Sequence, residues 1–166
     1  MDAILKRRSV RRYTDKEVSE DLIKKIIEAG MNAPSAGNQQ PWHFLIMKNK
    51  KTLEDASGCS PHAHALKDAA AGILLCGDLS LEKHKDYWVQ DCSACAENML
   101  LEVAELSLGA VWLGVYPRQD RVDYLKKYFA LPEQVIPFAI ISIGYPADEI
   151  KVTNRYNVTR LHYEKW

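Results

Sequence analysis

A short basic segment near the amino end of the chain has the side chains best suited to bind an anion. Residues 6–13 read Lys-Arg-Arg-Ser-Val-Arg-Arg-Tyr, so Arg7, Arg8 and Ser9 are adjacent and Arg11 follows two residues later. Closely spaced guanidinium groups repel one another unless an anion joins them, and a guanidinium binds phosphate through paired, charge-assisted hydrogen bonds. The segment therefore predicts a phosphate site, with a nuclear-localisation or nucleic-acid-backbone signal as the alternative.

A second polar segment joins a predicted helix to a predicted strand. Residues 33–42, called the 33–42 loop below, read Ala-Pro-Ser-Ala-Gly-Asn-Gln-Gln-Pro-Trp. The two prolines restrict the backbone, and Gly37 permits a left-handed conformation or a close approach. Hydrogen-bond donors and acceptors for a partner are offered by Ser35, Asn38, Gln39 and Gln40. An ordinary capped turn is the alternative, because the same residue types dominate plain turns.

Hydrophobic periodicity predicts the elements that must position these two segments. Helices are predicted over residues 2–8, Val18–Ala29, 50–56, Asp86–Leu108 and Asp120–Phe129. Strands are predicted over Trp42–Met47, Ala71–Gly77 and Phe138–Gly144, and a further strand is predicted within 108–117, between a helix end and a stop at Pro117. Ser19 is the expected N-cap of the second helix and Gly30 its expected end. Gly114 lies inside a predicted strand, where a glycine marks a close approach or a bulge.

Composition restricts the class of protein. The 166 residues fit one domain over 1–166, and the chain is 47% hydrophobic and 27% charged, as in ordinary globular proteins. The 22 basic residues are balanced by 22 acidic residues, which argues against a nucleic-acid partner bound by general electrostatics. Because the sequence has neither an apolar run of about 20 residues nor a signal-peptide pattern, we expect no membrane span and a cytoplasmic location.

Cysteine and histidine spacing offers two further hypotheses. Cys92 and Cys95 have the two-apart spacing of redox and metal pairs, so a thiol redox protein is one alternative. No second pair accompanies them, and small buried cysteines in a helix explain the spacing better. His62, His64 and His84 have no carboxylate or cysteine at a matching spacing, so we predict no metal site.

The order and spacing of two strings carry a family resemblance. Arg-Arg-Ser-x-Arg at 7–11, followed by Ala-Pro-Ser-x-x-Asn-x-Gln-Pro-Trp at 33–42, resembles the FMN-dependent nitroreductase family. The resemblance implies an α+β, nitroreductase-like fold in which helices flank a central, mostly antiparallel sheet. It also implies a homodimer, in which a C-terminal extension wraps the partner subunit and the long helix lies at the centre. The small residues Ala94, Cys95 and Ala96 would let two such helices approach closely.

The resemblance further implies an FMN site shared between two subunits. The phosphate would be held by Arg7, Arg8, Ser9 and Arg155, the last within the string Asn154-Arg155-Tyr156. Arg11 would lie near flavin N1 and the C2 carbonyl, where a cation favours the reduced flavin. Flavin N5 would lie near Leu113 and Gly114. The neighbouring subunit would contribute Pro34, Ser35, Ala36 and Asn38.

The activity implied is a ping-pong transfer of electrons from NADH or NADPH to a small-molecule acceptor such as a nitroaromatic compound or a quinone. No catalytic acid, base or nucleophile is identifiable, so the cofactor would carry the chemistry. Alternatives are another reaction on the same fold, namely dehydrogenation, dehalogenation or flavin fragmentation, and a flavin-binding protein without turnover. The chain departs from many members by having Ala36 in place of a second serine, and by lacking a long helical insertion over the flavin.

Overall fold

Continuous apolar runs form the strands of the central sheet. The computed structural model describes residues 2–153 and 155–166, and the predicted match at Asn154 lies outside them. The strands are β1 (Trp42–Met47), β2 (Ala71–Asp78), β3 (Gly109–Gly114) and β4 (Val135–Gly144). Their order across the sheet is β1-β2-β4-β3, and every neighbouring pair is antiparallel. β1 and β3 are therefore the two edges.

Helices cover both faces of this sheet. They are α1 (Asp2–Lys6), α2 (Glu20–Met31), α3 (Lys50–Ser57), α4 (Trp88–Glu105) and α5 (Gln119–Phe129). Side chains of β2 alternate between two cores: Ile73 and Leu75 pack with α2 and α4, whereas Leu74 and Cys76 pack with α3 and α5. This is the period-two pattern of a strand buried on both sides. The predicted α+β class, with a mostly antiparallel sheet flanked by helices, is confirmed.

The long helix is shorter than predicted. α4 begins at Trp88 and ends at Glu105, so the predicted limits at Asp86 and Leu108 are wrong. Asp86 has φ 67° and Ser107 has φ 57°, and an α-helix does not continue through the left-handed region. The 18 residues of α4 span about 27 Å rather than about 33 Å.

Gly30 is a packing residue and not the end of α2. The Ser19 side chain accepts a hydrogen bond from the Leu22 main-chain nitrogen, as predicted for an N-cap, but the helix continues through Gly30 to Met31. A Cβ at Gly30 would lie 2.8 Å from Met99 Cγ and 3.0 Å from Cys95 Sγ, so the missing side chain lets α2 approach α4. Cys95 is consequently buried inside this chain.

Ala96 is buried in the same way, and only Ala94 of the three small residues stays partly exposed for contact with another helix. The C-terminal extension, residues 145–166, contains one short 3-10 turn at Val158–Arg160. Tyr163 and Trp166 are 83% and 99% exposed, so the extension leaves aromatic surface uncovered by its own chain. Among the described residues, no helix has the length and apolar character required to cross a membrane.

Gly77→Ala is expected to destabilise the fold by about 1–3 kcal/mol, because an added Cβ would overlap the Trp88 ring. That ring cannot move freely, since its centroid lies 4.8 Å from Tyr116 and 6.0 Å from Phe138. Gly114→Ala is the matched control, because no atom lies within 4 Å of its added Cβ. Urea denaturation of both variants measures the difference, and equal midpoints would contradict the packing argument.

Candidate functional site

The basic N-terminal segment is fixed to the outer edge of β3. Ser9 forms a parallel bridge with Ala110, and the Val10 main-chain nitrogen donates to the Ala110 oxygen at 2.8 Å. The Tyr13 hydroxyl lies 2.8 Å from the Val10 main-chain oxygen and 3.1 Å from Ser142 Oγ. Burial raises the pKa of Tyr13 to about 12, so this hydroxyl stays protonated at physiological pH. The arginines therefore project from an anchored backbone.

Three of the residues predicted to hold phosphate line one cavity. Arg7, Arg8 and Arg155 share a space of about 370 Å³, called the Arg7–Arg155 cavity. Arg7 Nε lies 3.4 Å from a Glu97 carboxylate oxygen, and Arg8 donates to the Thr153 hydroxyl. Within the described part of the chain, neither Arg8 nor Arg155 has a carboxylate partner. Two guanidinium groups thus remain available to bind an anion.

The same surface continues to the end of β3. Arg8, Ser9 and Arg11 line an adjoining cavity of about 360 Å³. Arg11, Leu113 and Gly114 line the next one, of about 290 Å³, called the Arg11–Gly114 cavity. Arg8 lines the first two cavities and Arg11 the last two, so the three cavities adjoin, and they are together called the cationic groove. Glu97, Asp148 and Glu149 also line the first two cavities. Gly114 ends β3 in register with β4, so the alternative that it forms a bulge is wrong.

A buried carboxylate holds the 33–42 loop. One Asp91 oxygen accepts from the Ala36 main-chain nitrogen at 2.9 Å, and the other accepts from Gln39 Nε2 at 2.6 Å. The Gln39 Oε1 atom in turn accepts from the main-chain nitrogens of Lys83 and His84, at 2.8 and 3.0 Å. Asp91 and Gln39 are both buried, so these polar groups satisfy one another away from solvent. The loop is consequently rigid at its base.

The exposed part of the loop carries the four residues predicted to contact a cofactor. Gly37 has φ 54°, which confirms the predicted left-handed conformation, and Asn38 has the same value. Ser35 Oγ accepts from the Gln40 main-chain nitrogen at 3.0 Å. Ser35 and Ala36 are partly buried, whereas Pro34 and Asn38 are exposed. The segment is therefore a hydrogen-bonded turn in which Pro34 and Asn38 remain exposed.

The loop and the groove lie apart within one chain. Asp91 is in the first turn of α4, whereas Glu97, Leu100 and Ala104 line the cavities beside Arg7 and Arg8. Those positions are between about 9 and 20 Å further along the helix axis. Across the sheet, the loop leads into β1 and Gly114 ends β3, and three strand spacings separate these edges by about 14 Å. None of the three groove cavities is lined by the loop.

Sequence analysis missed several residues of the Arg11–Gly114 cavity. Its wall includes Arg121, Cys59, His62 and His64, and Arg121 Nη1 donates to the Gly114 oxygen at 2.6 Å. From the sequence alone, the two histidines are considered only as metal ligands and are assigned no other role. The only available signal was topological: α5 follows β3 after a short connection, so its first turn returns to the end of that strand.

The thiol alternative is unfavourable. Cys92 and Cys95 are fully buried within α4, as the sequence predicted. Burial raises the pKa of Cys95 to about 12 and holds the pKa of Cys92 far above its usual range. Because the thiolate is the reactive form, neither residue has the environment of a redox cysteine.

A sheet between two helix layers, with a cationic groove along one edge strand, defines an α+β protein with a candidate site for an anionic ligand. The chain belongs to the Nitroreductase family, whose profile matches residues 4–78 and 60–145, together well over half of the chain. The resemblance drawn from the two sequence strings is thereby confirmed.

Individual relatives are similar to this chain over nearly its full length. A protein of Methanothermobacter thermautotrophicus, provisionally named NADH dehydrogenase/NAD(P)H nitroreductase, is 46% identical over 166 residues, which cover 100% of this chain and 87% of that protein. A provisionally named NADH oxidase from Clostridium acetobutylicum has 44% identity and a TM-score of 0.97, covering 99% and 100% of the two chains. An FMN-dependent nitroreductase from Clostridium difficile has 30% identity and a TM-score of 0.92, covering both chains completely.

Asp91→Asn is expected to destabilise the protein by about 1–3 kcal/mol, the cost of an unpaired buried polar group. Both Asp91 oxygens accept hydrogen bonds, whereas an asparagine amide would face one donor with its own NH₂ group. Rotating the Gln39 amide would not restore a hydrogen bond to the new asparagine without loss, because the Gln39 oxygen already accepts from the main-chain nitrogens of Lys83 and His84. Urea denaturation measures the change.

Asp86→Asn is the matched control for this substitution. Asp86 is exposed and has φ 67°, a conformation that asparagine also adopts readily. Its replacement is expected to alter the free energy of unfolding by no more than about 0.5 kcal/mol. A similar loss in both variants would mean that charge, and not the buried hydrogen bonds, determines the effect.

Proposed function

We propose that this chain is an FMN-dependent oxidoreductase that takes electrons from NADH or NADPH and reduces a small oxidised acceptor. The observation that carries the proposal is the cationic groove, in which Arg8, Arg11 and Arg155 have no carboxylate partner among the described residues and the last cavity ends at Gly114. The names of the Clostridium difficile and Methanothermobacter relatives, which specify FMN and NAD(P)H, support the cofactor and the electron donor.

The Arg7–Arg155 cavity fits the phosphate of FMN. A phosphate monoester carries between one and two negative charges near neutral pH and offers three acceptor oxygens. Arg8 and Arg155 supply positive charge that no described carboxylate neutralises, and the nearby Ser9 hydroxyl is exposed. Arg7 is held by Glu97 and adds a third guanidinium. These residues would bind and orient the phosphate end of the cofactor.

The Arg11–Gly114 cavity would receive the ring. The added-Cβ position at Gly114 meets no atom within 4 Å, so a planar group can approach the main chain closely there. The N-terminal segment occupies the outer edge of β3 at Ala110, and among the described strands β3 otherwise pairs only with β4. Main-chain groups between Ala110 and the strand end at Gly114 would therefore face a ligand. When bound, FMN would accept hydride from NADH or NADPH and deliver electrons to an acceptor such as a nitroaromatic compound or a quinone, in ping-pong order. Arg11 stabilises the negative charge that develops on reduction.

The proposal requires a homodimer. Pro34, Ser35, Ala36 and Asn38 cannot reach the groove of their own chain, because about 14 Å of sheet separates the two edges. A second copy, related by twofold symmetry, would place its loop over the groove and complete two equivalent sites. The exposed aromatic residues of the C-terminal extension provide apolar surface that would wrap this partner. The whole chain, 1–166, then acts as one FMN-binding domain.

The purified protein is expected to show the absorbance bands of oxidised flavin, and NADH or NADPH added without oxygen should bleach them. A nitrofuran or a quinone should then restore the bands, as two separate half-reactions require. Bound flavin that neither nicotinamide reduces would favour a flavin-binding protein without this turnover. A colourless protein that does not bind added FMN would contradict the proposal.

Arg8→Ala is expected to weaken FMN binding about 10- to 100-fold, the scale of hydrogen bonds to a charged group. Arg118→Ala is the control, because Arg118 pairs with Asp120 at 3.3 Å and lines none of the groove cavities. Fluorescence titration of the flavin-free proteins with FMN measures both dissociation constants. Equal dissociation constants would show that Arg8 does not hold the phosphate.

A further inference from the structure

We propose that Arg121 binds a negatively charged group on the electron acceptor and makes the site selective for anionic acceptors. The inference rests on the proposed function and names the substrate class of the same site. It arises from a charge imbalance in the Arg11–Gly114 cavity that the cofactor does not remove.

The wall of the Arg11–Gly114 cavity is cationic. Arg11 and Arg121 contribute two guanidinium groups, and His62 and His64 add imidazoles that can donate hydrogen bonds. No aspartate or glutamate lines this cavity. Within the described residues, neither arginine forms an ion pair with a carboxylate. The nearby Asp120 carboxylate is engaged by Arg118 at 3.3 Å.

Arg11 and Arg121 belong to different elements of the fold and would bind different ligands. Arg11 lies on the segment that also carries Arg8 and Ser9, so it belongs with the residues that would hold the cofactor. Arg121 comes from the first turn of α5, an element separate from the N-terminal segment. With the phosphate placed at Arg8 and the ring at Arg11, the charge on Arg121 has no anion in the site.

Arg121 is positioned before any ligand binds. Its Nη1 atom donates to the Gly114 main-chain oxygen at 2.6 Å, and the residue is half-buried. One of five N–H donors is thereby used, and the remaining donors can bind a carboxylate or sulfonate. Because this hydrogen bond already restricts the side chain, less rotamer entropy is lost when an anion binds. A fixed, partly desolvated cation discriminates charge better than a mobile surface lysine.

The substrate class that fits is a small planar acceptor with an acidic substituent, such as a nitrobenzoate or a carboxylated quinone. A neutral compound of the same shape would leave the Arg121 charge without a counter-ion in a cavity that excludes part of the solvent. Selectivity therefore comes from the difference in binding between the charged and the neutral compound.

The test compares 4-nitrobenzoate with 4-nitrobenzamide, which differ in charge but little in shape. For the flavin-loaded protein, Arg121→Gln is expected to lower kcat/KM for the benzoate about 10- to 100-fold and to change the amide value by less than about threefold. Arg121→Lys retains the charge without the planar fork and should recover part of the loss. Lys127→Gln removes a charge from the same helix outside the three groove cavities and should alter neither value.

A second measurement needs no turnover. Benzoate and benzamide are titrated calorimetrically into the purified protein; the wild type should bind benzoate at least about tenfold more tightly, and Arg121→Gln should abolish this preference. Equal binding of the two compounds by the wild type, or equal weakening of both by Arg121→Gln, overturns the inference. Absence of reduction with both nitro compounds would overturn the proposed function instead, and the benzoate preference would still decide the role of Arg121. Thermal unfolding shows whether each variant remains folded.

Discussion

Arg8, Arg11 and Arg155 carry positive charge that no carboxylate of the described residues pairs with, and they line the groove beside β3. At an effective dielectric constant of about 20, two like charges 8 Å apart repel by about 2 kcal/mol, so a row of guanidinium groups is unfavourable without an anion. The main-chain pairing of the basic segment with Ala110 and the buried Tyr13 hydroxyl prevent the row from moving apart. An anionic ligand would relieve the repulsion, which is the physical reason for proposing that the groove binds phosphate.

A second constraint is the distance between the groove and the 33–42 loop, which is proposed to complete the cofactor site. The buried Asp91 carboxylate ties the 33–42 loop to the first turn of α4 and to the β1 edge. The groove lies at the opposite edge, about 14 Å across the sheet. Since both parts are rigid, neither can fold over to meet the other. In the proposed homodimer, association of two copies would bring them together without deforming either chain.

The strands and the main helices were predictable because their signals are local. Continuous apolar runs gave all four strands to within a few residues, and the Ser19 cap marked the start of α2. The limits of α4 were not predictable, because the left-handed conformations of Asp86 and Ser107 depend on packing around them. Gly30 was predicted to end α2, but it lies inside the helix. Its missing side chain allows contact with α4 at Cys95, 65 residues later in the sequence.

The candidate site divides in the same way. The arginines and the loop residues lie in two contiguous segments of the sequence. Their residue types and spacing were therefore enough to predict an anion site and a cofactor-contacting loop. Arg121 and His62 reach the same cavity only through the fold, and nothing in their neighbourhoods in sequence distinguishes them from surface residues. Asp91 was predicted only as part of a helix, because its partners in the loop lie more than 50 residues earlier. Two properties could be seen only in the structure: the hydrogen bonds by which Asp91 holds the loop, and the excess of basic residues around the Arg11–Gly114 cavity.

Mixed pairs of differently altered chains test the central claim most directly. One chain carries Arg8→Ala together with Arg155→Ala, and the other carries Asp91→Ala; each alone should retain little FMN. If the groove of one chain is completed by the loop of the other, co-expressed and separately tagged chains form mixed pairs with one intact site and one doubly altered site. Such pairs should retain about half of the FMN held by unaltered pairs. Mixed pairs that retain none would place each site within a single chain and contradict the account.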